Sequence, residues 1–224
     1  MTGAGTSRYL VLLGAPGAGK GTQALFLTEA LGLPHMASGD VFRAVRSEDS
    51  ELGALVRSYY DQGLLIPDEV AIRIILSVLE RQEYAAGAML DGFPRTLDQA
   101  RALDAALAQQ GRSITKVLYI RVPADELIPR ISGRLLCRGC SAVYHQRTMP
   151  PRVQGVCDIC GGELYQRVDD TEETARTRLR AFFEETEPLV DYYREQDRLC
   201  EVNGSQSVEA VGRDLQACMA EEGR

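Results

Sequence analysis

The apolar run Tyr9-Leu-Val-Leu-Leu13 leads straight into Gly14-Ala-Pro-Gly17-Ala-Gly19-Lys20-Gly21-Thr22, and Lys20–Leu31 then shows roughly helical apolar spacing before Gly32. An unbroken apolar run suits a strand buried on both faces of a parallel sheet. Strand, glycine-rich turn and helix in that order form the frame of a phosphate-binding loop. The glycines let backbone N–H groups turn inward around phosphate oxygens, and the helix N-terminus adds partial positive charge. A lysine supplies a mobile point charge for the terminal phosphates. An ordinary Gly-rich turn needs no such lysine. The strict pattern places Ser or Thr directly after the lysine; here Gly21 intervenes and Thr22 follows.

Lysine is scarce elsewhere. Of the 25 basic residues only Lys20 and Lys116 are lysines, and the rest are arginines. A lysine kept at position 20 is therefore informative, whereas a lone arginine is not. The net charge of −7 disfavours general affinity for nucleic acid or acidic membranes but permits a local cationic pocket. No apolar run reaches the roughly 18 residues that span a bilayer. Met1–Arg8 is Gly/Thr/Ser-rich and lacks the apolar stretch of a signal peptide, so the expected compartment is the cytoplasm.

Strand and helix signals alternate along the chain, which predicts an α/β fold with a parallel sheet. Strands are expected at 9–13, 35–37, 88–90, 116–122 and 199–202. Helices are expected at 20–31, in two pieces within 39–61, and at 67–84, 96–110 and 124–134. Another begins near Thr171 with Asp170 and Glu173 at capping-box spacing and a bend at Pro188, and a last one spans Ser207 to about Glu221. Residues 133–170 break the pattern, with cysteine, proline and glycine replacing apolar periodicity, and read as an insertion.

Within that insertion Cys137-x2-Cys140 and Cys157-x2-Cys160 are separated by 16 residues. Two such knuckles complete a tetrahedron of thiolates, the pattern of a structural zinc site. About 38 residues are too few for an adequate apolar core, so a staple makes physical sense. His145 is an alternative ligand that four cysteines make unnecessary. With five arginines against four acids, the insertion has no basic stripe of a nucleic-acid binder. Cys200 and Cys218 are expected as buried small apolar side chains.

The loop G-x-P-G-x-G-K-G-T resembles that of adenylate kinases and related nucleoside-monophosphate kinases, and further motifs agree. Ser38-Gly39-Asp40-x-x-Arg43 resembles the family's T-G-D-x-x-R, and Asp91-Gly92-Phe93-Pro94-Arg95 is its D-G-F-P-R. Arg130 and Arg134 fall on its R-x-x-G-R, Arg167 on its R-x-D-D, and Arg178 on the next arginine. The four cysteines match long-form members with a zinc lid.

The resemblance implies transfer of the terminal phosphoryl of Mg-ATP to AMP, giving two ADP. It assigns ATP to Gly17, Ala18, Gly19, Lys20, Gly21, Thr22, Arg130, Arg134, Val143, Tyr144 and Gln206. It assigns AMP to Ser38, Arg43, Leu64, Leu65, Ile66, Gly92, Phe93, Pro94, Arg95, Gln99, Arg167 and Arg178. Lys20, Asp91, Arg95, Arg134, Arg167 and Arg178 surround the transferred group, with Asp91 organising the water shell of Mg2+. Zn2+ falls to Cys137, Cys140, Cys157 and Cys160. The implied architecture is a P-loop core (1–36, 67–132 and 171–224), a helical acceptor-binding part (37–66) and a lid (133–170), acting as a monomer. Pro129 beside Arg130 has no counterpart in the motif and leaves the aim of Arg130 open.

Overall fold

The computed structural model describes residues 8–167 and 169–220. Five strands, β1 (Arg8–Leu13), β2 (His35–Ala37), β3 (Gly87–Asp91), β4 (Ile114–Arg121) and β8 (Leu199–Asn203), form one sheet in the order β2-β3-β1-β4-β8. Every neighbouring pair is parallel. Their apolar runs are buried because helices cover both faces, and Leu10, Met89, Leu90 and Leu118 are fully inaccessible. The chain moves from β1 to one side of the sheet and from β4 to the other. Such a reversal opens a crevice at the C-terminal strand ends, where ligands of open α/β sheets bind.

The helices follow the expected order: α1 (Lys20–Leu31), α2 (Ser38–Arg46), α3 (Glu51–Tyr60), α4 (Asp68–Leu79), α5 (Leu97–Gln109), α6 (Ala124–Ser132), α7 (Glu172–Ala181), α8 (Pro188–Arg194) and α9 (Val208–Ala220). Gly32 ends α1 in a left-handed conformation, as expected.

Five expectations need correction. The helix expected over 124–134 stops at Ser132, where Gly133 follows, and Arg134 opens a short strand instead of sharing the helix with Arg130. The helix expected to reach residue 84 stops at Leu79, and a 3-10 turn spans Gln82–Tyr84. The polar run Glu80-Arg-Gln-Glu83 has no apolar stripe left to bury. The cap of α7 is Thr171, whose side chain accepts the Thr174 N–H, and not Asp170, which is committed elsewhere. The bend at Pro188 is preceded by a π-helical turn over Phe182–Thr186, closed by Glu187 N–H donating to Phe182 O at 2.8 Å. Proline has no N–H with which to continue the ladder, and the widened turn absorbs the mismatch. Finally, Cys200 and Cys218 are not free thiols but a disulfide that ties β8 to α9, with Cα atoms 6.0 Å apart. The expected end of the last helix at Glu221 lies outside the described residues.

The insertion builds its own antiparallel sheet from β5 (Arg134–Cys137), β6 (Val143–His145) and β7 (Leu164–Tyr165), in the order β6-β5-β7. No periodic signal marks these short strands in the sequence. Among the described residues, no helix is long and apolar enough to cross a membrane.

Candidate active site

The loop after β1 forms the floor of a cleft of about 860 Å³. Gly17 has φ 84°, and a Cβ there would lie 3.0 Å from both Ile131 Cγ1 and Leu127 O, so only glycine suits the position. Lys20 folds onto the loop, its Nζ donating to Gly14 O at 2.7 Å and Ala15 O at 3.2 Å. Burial lowers its pKa to about 8, although Asp91 opposes the shift. At neutral pH it is still mostly protonated.

Asp91 ends β3 beside the loop. Burial alone would raise its pKa, but the neighbouring His35 and Lys20 outweigh this, and the carboxyl titrates below its ordinary range. His35 Nε2 stands 3.4 Å from Asp91 Oδ2 because β2 pairs with β3 in register at Ala37 and Asp91.

Lys20, Arg43, Arg95, Arg130, Arg134, Arg167 and Arg178 line this one cleft, whose only lining carboxylates are Asp40 and Asp91 among the described residues. A chain of net charge −7 thus carries a locally cationic pocket. The guanidiniums come from α2, the loop after β3, α6, β5, the segment before α7, and α7 itself. Arg95 is half-buried, and its pKa is lowered by desolvation and then by the charge of Arg178. Arg167 is lowered likewise by burial and then by Arg43 and Arg134. Of the buried polar atoms without a hydrogen-bond partner among the described residues, three belong to the cleft lining: His35 Nε2, Ser38 Oγ and Arg167 Nε. Buried polar groups are rarely left so. Like charges brought together with unsatisfied donors are what a multiply charged anionic ligand would relieve.

The arginines are held by partners that sequence reasoning missed. Asp170, fully buried, takes Arg134 in a two-pronged pair (2.9 and 2.5 Å) and also Arg178 at 3.3 Å. Its place in the R-x-D-D match was the available signal. Arg43 donates to the Tyr60 hydroxyl at 2.7 Å and pairs with Asp40. Arg130 donates to Gly204 O at 3.0 Å and to Glu126 at 2.6 Å, and Glu126 also accepts from the Ser205 hydroxyl. Pro129 sits inside α6 without turning Arg130 away from the cleft.

A smaller hollow adjoins the cleft and is lined by Phe42, Tyr60, Leu64, Leu65, Ile66, Gly92, Phe93, Arg95 and Gln99. Every residue expected to bind a nucleotide lines one of these two spaces except Ala18. Ala18 is buried beneath the loop, its N–H donating to Ala15 O at 3.0 Å.

In the lid, the four cysteine sulfurs lie within 4.8 Å of one another. Cys137 and Cys160 sulfurs are 3.3 Å apart, and those of Cys140 and Cys157 are 3.6 Å apart. A tetrahedral ion with zinc–sulfur bonds of about 2.3 Å spaces its sulfurs by about 3.8 Å, so the set fits zinc. The Tyr144 hydroxyl accepts the Asp158 N–H at 2.8 Å and reaches Cys157 Sγ at 3.5 Å. Burial alone would raise the Cys157 thiol, but that hydroxyl and nearby backbone N–H groups bring it down to about 6. His145 is not part of the cluster. Its Nδ1 accepts two backbone N–H groups, and its Nε2 meets Pro129 O at 2.9 Å.

A parallel sheet in this order, a phosphate loop at its central strand and a cleft lined with cations from separate elements define a P-loop phosphotransferase. The family pattern described as adenylate kinase matches residues 12–198. An adenylate kinase of Streptomyces avermitilis is 50% identical, over 90% of this chain and 92% of its own length. One of a Geobacillus species is 48% identical over 92% of this chain and 95% of its length. That of Clostridioides difficile is 44% identical over 94% and 97%. The chain belongs to the adenylate kinase family, whose reaction is phosphoryl transfer between ATP and AMP.

Proposed function

We propose that the two nucleotides meet end to end across the cleft, and that the transferred phosphoryl group is carried by a cage of backbone amides, Lys20 and arginines. Transfer of a phosphoryl group needs mainly positioning and stabilisation of charge spread over its oxygens. Gly17–Thr22 and Lys20 hold the ATP phosphates. Arg134, Arg167 and Arg178 converge on the transferred group. Ser38, Arg43 and Arg95 grip the AMP phosphate, whose forked geometry suits guanidinium. Arg130, anchored by Glu126 and Gly204, serves with Gln206 at the adenine end of ATP. Val143 and Tyr144 bring the lid to that nucleotide. Leu64, Leu65, Ile66 and Phe93 wall the acceptor base, and Gln99 reads its edge.

Magnesium arriving with ATP supplies neutralisation of phosphate charge, and Asp91 would hold its water shell. Cys137, Cys140, Cys157 and Cys160 would hold zinc, which supplies a structural staple and leaves no open position for chemistry. Residues 37–66 and 133–170 act as two flaps over the P-loop core. Their closure excludes water, which suppresses hydrolysis of ATP. We read the enzyme as a cytoplasmic monomer.

The observation that carries this reading is the convergence of cations on one cleft that also holds the unpartnered Ser38 Oγ and Arg167 Nε. The test is ADP formation from ATP, AMP and magnesium by the wild type and by Lys20→Ala. A loss of at least about a hundredfold is expected from removing a charge aimed at the phosphates. Equal activity in the variant would sink the site assignment.

A further inference from the structure

Gln99 is 2% exposed and lines the acceptor hollow from the first turn of α5. Its Oε1 accepts the backbone N–H of Arg95 at 2.8 Å. Its Nε2 donates to Asp68 Oδ1 at 2.7 Å. The other Asp68 oxygen accepts the Thr96 hydroxyl at 2.7 Å, and Thr96 Oγ1 accepts the Gln99 backbone N–H at 3.2 Å.

The chemistry of the partners fixes which end of the amide is which. A backbone N–H only donates, so the atom facing it is the oxygen. A carboxylate only accepts, so the atom facing it is the nitrogen. Turning the amide over would set N–H against N–H and oxygen against carboxylate. After these two bonds, Oε1 keeps one lone pair and Nε2 keeps one hydrogen.

We propose that Asp68, acting with the Arg95 N–H, is a specificity-determining residue that locks Gln99 in the orientation that accepts a 6-aminopurine and rejects a 6-oxopurine. This rests on Gln99 as reader of the acceptor base. Adenine presents an amino donor at position 6 beside an acceptor at N1. A 6-oxopurine presents an acceptor at position 6 beside a donor at N1. The locked amide complements the first pair and opposes the second at both atoms. An unrestrained glutamine would rotate to suit either base, so recognition needs the clamp as well as the glutamine. A site built around fixed polar groups discriminates strongly because the wrong ligand leaves them unpaired.

The test compares AMP with inosine monophosphate, which differs from AMP only at position 6 and N1. The ratio of kcat/KM for the two acceptors is measured with ATP as donor in wild type, Asp68→Asn, Gln99→Ala and the double variant. Asp68→Asn keeps the shape but lets its amide donate to a rotated Gln99. It is expected to lower the AMP-to-inosine ratio about tenfold, the worth of one charge-assisted hydrogen bond. In the Gln99→Ala background the same change should move the ratio less than about twofold, since the two residues act as one unit. A merely structural Asp68 would slow both acceptors alike and leave the ratio fixed, which overturns the proposal. An equal effect with and without Gln99 also overturns it. If Gln99→Ala itself leaves the ratio unchanged, the base-reading assignment fails and the clamp falls with it. If Gln99→Ala shifts the ratio and Asp68→Asn does not, only the clamp falls. Should Asp68→Asn not fold, Thr96→Val, which frees the second carboxylate oxygen, carries the same expectation at about threefold.

Discussion

On the parallel sheet, Leu10, Leu12, Met89 and Leu90 are fully buried beneath helices on both faces, and they belong to a continuous apolar cluster. In the lid, the buried cluster is Cys137, Ala142, Tyr144, Cys157 and Leu164, with Leu135 packed against it. Two of those five are the cysteines themselves. The core is thus stabilised by removing apolar area from water, whereas the lid has little such area and gathers four cysteine sulfurs within 4.8 Å of one another. The lid joins the core through polar contacts at its base: Gln166 to Ser132 O at 2.7 Å, His145 Nε2 to Pro129 O at 2.9 Å, and Arg178 to Asp170 at 3.3 Å. None of these substitutes for an apolar core, so the two regions should fail separately.

The sharpest way to break the comparison is to remove a thiolate. Cys157→Ser is expected to unfold the lid while the core keeps its helical circular dichroism and its thermal transition. Turnover of ATP and AMP should fall by about a hundredfold or more, because Arg134, Val143 and Tyr144 lose their placement. A metal-site domain of this size owes most of its folding energy to the ion. A single transition lost for the whole chain would show that lid and core are one cooperative unit.

The complementary change is Leu90→Ala in β3, fully buried between β1 and β2. Truncation there leaves a cavity and should cost about 3 kcal/mol. For a chain of this length that lowers Tm by roughly 6–12 °C. Sensitivity to a zinc chelator should not change. A chelator response altered by Leu90→Ala would mean that the core supports the lid directly.

Legibility in the sequence also divides along this line, though not by region alone. Lys20, the loop glycines, Asp91–Arg95 and the four cysteines could be read because their chemistry needs particular residue types at fixed local spacing. The core strands could be read because burial on both faces leaves continuous apolar runs. What escaped are pairings between residues distant in sequence: Asp68 with Gln99, 31 apart; Arg134 with Asp170, 36 apart; Arg43 with Tyr60. No local periodicity encodes such a partner. Asp170 shows how this misleads, since its spacing to Glu173 suggests a cap while its carboxylate is needed by two arginines. The lid strands escaped for another reason. They are two to four residues long, too short to display an apolar period.

Between core and lid lies the cleft, where function works against stability. Lys20 is a charge held in a site whose burial lowers its pKa from 10.5 to about 8. The folded value lies below the unfolded one, so the sign is opposite to that of a salt-bridged lysine. Below pH 8 both states are protonated and the folded state bears the full cost of the charge. Between about 8 and 10.5 the folded state sheds the proton while the unfolded state keeps it, and stability rises with pH through that window. Lys20→Met removes the charge and keeps the stem. It should be more stable than wild type at pH 7, by about 1 kcal/mol, the pKa shift being discounted for the open side of the cleft. That advantage should vanish as the pH passes 10.5, and phosphoryl transfer should be lost throughout. Paired denaturation curves at pH 7 and 10.5 check it, because other titrating groups cancel in the difference. A methionine variant less stable at pH 7 would mean that the hydrogen bonds to Gly14 and Ala15 outweigh the desolvation, and that the loop is held by its lysine rather than strained by it.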